Sequence, residues 1–196
     1  MLDLEVIATP EAAALALDPV RSRILAALAK PGSAASVASR VGLTRQKVNY
    51  HLRALEAHGL VEQVEERRWG GIRERMMVAS ATSYVVSSAA LGPIAADPGR
   101  AGDRLSASYL IALAARTVRE VGELWRRART TERRLATLSI DTVIAFRSPG
   151  DRADFTRELT SAVASLAARY HDETAPGGRP HRLVVASYPA PPDNAS

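Results

Sequence analysis

The chain has 196 residues, 46% apolar and 24% charged, the balance of a globular protein with room for one domain plus an appendage or two small domains. Its formal net charge is +5, carried almost entirely by Arg because Lys30 and Lys47 are the only lysines, and this favours an anionic partner. Cysteine is absent, which excludes a disulfide framework, a thiolate metal site and a cysteine nucleophile.

The opening MLDLEVIATPE puts acids where a signal peptide needs positive charge. The longest strictly apolar run, Tyr109 to Ala115, is too short to cross a bilayer. The expectation is a soluble, cytoplasmic protein with no membrane partner. Charge is uneven along the chain. From Pro19 to Arg75 there are 11 Lys and Arg against 5 acids, from Arg100 to Arg134 there are 9 against 4, and from Leu135 onward 6 against 7. A nucleic-acid footprint therefore belongs in the first two thirds.

Thr9-Pro10-Glu11 opens a short Ala-rich helix with a cap residue, proline at the first helical position and an acid in the first turn. Asp18-Pro19 repeats the device, and Val20, Ile24, Leu25 and Leu28 give the second helix an apolar stripe that Pro31-Gly32 ends. Ser33 caps a third helix with Ala34, Val37, Ala38 and Val41 inward; Gly42 ends it, supplying the left-handed backbone of a tight turn. Thr44 caps a fourth helix, where Val48, Leu52 and Leu55 recur at i, i+4 and i+7 as one buried stripe and Gly59 is the stop.

The period then changes. Val61 to Arg68 and Ile72 to Ala79 read as two strands around a Gly70-Gly71 turn, and Tyr84 to Leu91 as a short helix. Gly92 to Arg104, rich in Gly, Pro and Asp, reads as a linker. A long helix follows. Its residues Leu110, Leu113, Thr117, Val121, Leu124 and Ala128 are spaced 3, 4, 4, 3, 4, close to a heptad seam that needs an apolar partner. A symmetric dimer is the economical way to supply one. In the tail, Ile140, Thr142, Ile144 and Phe146 alternate in a strand pattern, and Ser148-Pro149-Gly150-Asp151 starts a capped helix. Phe155, Leu159, Ala162, Val163, Leu166 and Tyr170 form that helix's buried face, and Leu183 to Tyr188 reads as a second strand.

Two short helices joined by a tight Gly turn, the second with a polar N-terminal face, make a helix-turn-helix. Burying Val48, Leu52 and Leu55 leaves Arg45, Gln46, Asn49, Tyr50 and Arg53 outward, with Lys47 beside them. A helix of this length fits the major groove, where Gln and Asn pair with adenine and Arg with guanine or phosphate. Thr44 and the free N–H groups of the helix start attract phosphate. Arg67, Arg68, Arg73 and Arg75 flank the hairpin tip, where they can follow the DNA backbone or enter the minor groove.

The segments DPVRSRILAAL, VASRVGLTRQKVNYHLRALEAHGLV and VEERRWGGIRERMM together resemble the winged helix-turn-helix repressors of the ArsR type over residues 17 to 88. The resemblance implies a homodimeric transcriptional regulator on a roughly two-fold-symmetric operator. It implies a base-reading role for Arg45, Gln46, Asn49, Tyr50 and His51 and a wing role for Arg67, Arg68 and Arg73. This chain departs from the metal-sensing members: the helix that carries their cysteine ligands holds Ala34, Ser36, Val37 and Ala38 here, and a long C-terminal extension follows.

The blander alternatives are a solvated face for α-helical polar residues, a hydrogen bond within the helix-turn-helix for His51, and helix-dipole complementation for His58. His171, Asp172, Glu173 and His181 match no specific metal spacing. Ser148, Asp151 and His171 make a poor triad because Ser148 already serves as a helix cap, and no nucleophile elbow or phosphate loop is present.

The expected fold class is α+β, mostly α. Residues 1–91 form a winged helix-turn-helix domain, 92–103 a linker, 104–137 a long dimerisation helix, 138–190 a strand-helix-strand effector or dimerisation module, and 191–196 a disordered tail. The expected function is sequence-specific binding of double-stranded DNA as a homodimeric repressor, not an enzyme, with no metal or cofactor and with a small-molecule or protein effector acting through the tail. The competing reading is a protein-interaction or ligand-sensing module that uses the winged helix as scaffold.

Overall fold

The computed structural model describes residues 1–69, 72–100 and 102–191, and the side chains of all of these except Arg68, Trp69 and Ile72. Two compact units divide the chain, residues 1–135 and 136–196. The fold is mostly helical α+β, as expected.

The first unit begins with a strand, β1 (Glu5–Ile7), followed by α1 (Pro10–Leu17), α2 (Pro19–Ala27), α3 (Ala34–Val41) and α4 (Arg45–Ala57). The capping residues act as the sequence implied. Asp18 Oδ1 accepts from the N–H groups of Val20 and Arg21 at 3.0 and 2.9 Å, and Ser33 Oγ accepts from Ser36 at 3.3 Å. Gly42 sits at φ +71°, a left-handed conformation that a side chain would strain. Arg40, in the last turn of α3, reaches across to the carbonyl of Ala27 (Nη1–O 2.6 Å), so one helix supplies the C-terminal cap of another.

The core lies where these four helices converge. Ile24, Leu28, Val37, Val48 and Leu55 are fully buried, with Leu52 and Leu60 beside them. The wing strands β2 (Val61–Trp69) and β3 (Ile72–Ala79) pair antiparallel, with a bulge between Gln63 and Glu65. The expected Gly70-Gly71 turn lies outside the described residues. Backbone hydrogen bonds pin the base of the wing to the helices: Gly32 and Met77 exchange a pair at 2.9 Å, and the Ala79 N–H donates to Leu28 at 3.0 Å.

The structure corrects three expectations. Residues 84–91 are not one helix: β4 (Tyr84–Val86) pairs in parallel with β1, which periodicity had not revealed, and a 3₁₀ segment follows at Ser88–Ile94. Three-residue strands carry too little alternation to register against a helical pattern. Next, the Gly/Pro-rich stretch after Leu91 is no boundary between compact units, because the first unit runs through to residue 135 and Pro98 is buried. Finally, the expected tail strands at 140–146 and 183–188 are not formed. The second unit contains α6 (Pro149–Tyr170) flanked by segments without regular secondary structure. Residues 192–196, within the expected disordered tail, lie outside the described residues.

The long helix α5 (Ala107–Thr130) closes the first unit. Small residues let it approach closely: Ala112 and Gly122 are its buried positions, and a Cβ on Gly122 would meet Cγ1 of Val6 at 2.8 Å. Arg129 pairs with Glu5 of the same strand at 3.4 Å. At about 100° per residue, the seam from Leu110 to Ala128 points to the opposite side of the helix from Ala112 and Gly122. Leu110, Leu113, Thr117 and Ala128 are half-buried, whereas Val121 and Leu124 are 41% and 49% exposed.

Two stability measurements follow. Leu55→Ala is expected to cost about 2–5 kcal/mol in urea unfolding, because a fully buried side chain leaves a cavity. Gly122→Ala improves intrinsic helix propensity by about 1 kcal/mol yet is expected to lower stability, because the stiff, β-branched Val6 cannot yield cheaply. An unchanged or higher midpoint for Gly122→Ala would contradict the close crossing.

Candidate nucleic-acid interface

The outward face of α4 follows from what the helix buries. With Val48, Leu52 and Leu55 held in the core, Arg45, Gln46, Lys47, Asn49, Tyr50 and Arg53 all lie exposed, Tyr50 to 67%. Thr44 is the N-cap and its Oγ1 accepts from the N–H of Lys47 at 3.3 Å. The N–H groups of Arg45 and Gln46 remain in the solvent-facing first turn, where a helix favours an anion.

Arg45, Lys47 and Arg53 make no ion pair with any described residue, so three cations on this helix are available to an incoming anion. Arg45, Asn49 and Arg53 share an open cleft of about 130 Å³ with Arg73 of β3. The cleft lies between α4 and the wing, with Glu74 and Arg75 also in its lining. This convergence of helix and wing cations was invisible in the sequence, because it depends on how β3 docks against the helices.

The wing is electrically more balanced than its arginines suggested. Between Val61 and Ala79 four Arg are matched by four Glu. Arg67 pairs with Glu65 at 3.0 Å and Arg73 with Glu66 at 3.5 Å. Both pairs are exposed, and such pairs are worth about 0–1 kcal/mol, so a phosphate can displace the carboxylate at little cost. Arg75 is different: it bonds both Gln63 of β2 and Glu56 of α4, and so ties the wing to the helix. The side chain of Arg68, expected on the wing, lies outside the described residues.

His51, expected on the reading face with Asn49 and Tyr50, is instead half-buried on the side of α4 towards α2. Its Nδ1 is buried without a hydrogen-bond partner among the described residues, and its ring meets Tyr50 edge-on at 5.5 Å. Burial, then the nearby Arg21 charge, holds its pKa below the ordinary 6.5; Asp18 pulls the other way. In the second unit, His171 approaches Glu173 at 3.3 Å while Asp172 is bonded by Thr174. No three His, Asp or Glu side chains converge on a metal position among the described residues. No described helix is long and apolar enough to cross a membrane.

Residues 16–64, spanning α2 to the start of β2, match a protein family described as a helix-turn-helix domain. No curated protein matches the chain. Among solved structures, NolR from Sinorhizobium fredii is similar at 25% sequence identity, over 36% of this chain and 66% of that one, with a TM-score of 0.30.

The lowered pKa of His51 has a signed consequence. The unfolded chain takes up that proton more readily than the folded one, so stability is unaffected above 6.5 and falls as pH drops through 6.5 towards the folded value. His51→Gln is expected to flatten the loss of stability between about pH 7 and pH 5. An identical slope in urea titrations of the two proteins would show that His51 is not held neutral by its surroundings.

Proposed function

We propose that the chain is a sequence-specific regulator that binds double-stranded DNA as a homodimer and represses transcription. The observation that carries the reading is the exposed face of α4: hydrogen-bonding and cationic side chains gathered on the first turns of a helix, within the segment that matches a helix-turn-helix domain. Gln46 and Asn49 are placed to read base edges. Arg45, Arg53 and Arg73 hold the phosphate backbone in the cleft, and Arg67 extends the contact along the wing.

Two recognition helices about 34–36 Å apart engage successive major grooves, and a dimer provides them. The α5 seam supports this, because it faces away from the helix's own docking surface and leaves Val121 and Leu124 exposed. Assignment as a repressor rests on the resemblance to ArsR-type proteins. An effector acting through the C-terminal unit would work only by favouring one dimer spacing over another.

Binding to DNA should fall steeply with salt and favour some sequence by about a thousandfold or more over random duplex. Gln46→Ala with Asn49→Ala should relax sequence choice by about 1–3 kcal/mol per lost base contact, whereas Arg67→Ala should weaken binding to all duplexes alike. If both classes of variant bind as the parent does, the assigned surface is wrong. Leu113→Asp with Leu124→Asp should halve the mass seen by sedimentation or light scattering; an unaltered dimer would move the interface elsewhere.

A further inference from the structure

The second unit carries more exposed apolar surface than a self-sufficient unit tolerates. None of its described residues is buried. Leu138, Ile140 and Val143 are 80–85% exposed and Ile144 is 45% exposed. Over residues 134–147 no backbone N–H or C=O bonds to another described residue. An apolar stretch of β-branched residues with a free backbone on both sides is a template for strand pairing.

The pattern of this stretch selects its partner. In an extended strand Leu138, Ile140, Thr142, Ile144 and Phe146 would share one face, and the ring of Phe146 packs on Phe155 of α6 at 5.3 Å. At that end the face meets the helix, whereas Leu138 and Ile140 on the same face stand 84% and 85% exposed. An antiparallel match of the segment to itself about Thr142 sets Ile140 opposite the partner's Ile144 and Leu138 opposite the partner's Phe146. All five same-face residues then find an apolar or small polar neighbour. The same register sets Asp141 opposite the partner's Val143, whereas centring one residue earlier would place the two Asp141 carboxylates face to face. Centring one residue later would leave Leu138 opposite Ser148, already committed as the cap of α6. Charge presents no obstacle: residues 136–196 hold six Arg against seven acids, unlike the basic first unit.

We propose that residues 138–146 pair antiparallel with the same segment of a second copy of this chain, about a two-fold axis at Thr142, and that the two α6 helices cover the shared apolar face. A lone two-stranded ribbon is marginal in water, and helix cover supplies the missing layer. This interface is separate from the α5 seam and does not rest on the DNA-binding reading.

The absence of cysteine makes the test clean, because a single introduced thiol can form only an interchain disulfide. Directly opposed residues in an antiparallel pair lie within disulfide reach. In the full-length chain under mild oxidation, Thr142→Cys should cross-link at least about tenfold faster than Ser161→Cys, which lies on the far, exposed side of α6. Adding Ile140→Asp should remove that advantage. Combining Thr142→Cys with Leu113→Asp and Leu124→Asp should preserve the advantage at raised protein concentration, so failure of the seam and failure of the tail pairing are read separately. Equal rates for Thr142→Cys and Ser161→Cys, or an advantage that survives Ile140→Asp, would overturn the proposal.

Discussion

The burial of one stripe, Val48, Leu52 and Leu55, governs everything else in the first unit. These side chains lock α4 against Ile24, Leu28 and Val37, and so fix the rotation of α4 about its own axis. A turn of the helix by one residue, about 100°, would bury Asn49 and Arg53 in place of Val48 and Leu52. Desolvating those groups without partners is far costlier than leaving them in water. The polar face is thus held outward by the apolar one, and the presentation of Gln46, Asn49 and Arg53 is a property of the core rather than of the surface.

The wing inherits its position from the same core by a second set of bonds. Gly32 and Met77 exchange backbone hydrogen bonds, and the Tyr84 hydroxyl links three points: it donates to Leu60, accepts from the Ala81 N–H and meets Ser80. Arg75 adds an ionic tie between β3 and α4 through Glu56. Helix and wing are thus tied to each other at several points. Arg45, Arg53 and Arg73 thereby line a single cleft between helix and wing.

Much of this was readable before the structure. Thr9, Asp18, Ser33, Thr44 and Ser148 all cap where the local pattern said they would, because capping is a contact between near neighbours in sequence. The i, i+4, i+7 stripe of α4 was likewise local. What the sequence hid was non-local. The parallel pair of β1 and β4 joins residues about eighty apart, His51 turned towards Arg21 rather than outward, and Arg75 left the wing tip for Glu56. The alternation at 140–146 led to the expectation of a strand that the structure does not form. A strand exists only with a hydrogen-bonding neighbour, and the chain offers this segment none among the described residues.

The central claim is that α4 reads DNA, and selection from a random-sequence duplex library with the full-length chain tests it most directly. DNA reading predicts enrichment of an inverted repeat with half-sites about one helical turn or a multiple apart, and affinity for it that falls steeply between low and physiological salt. Recovery of no shared sequence, with weak binding indifferent to salt, would contradict it.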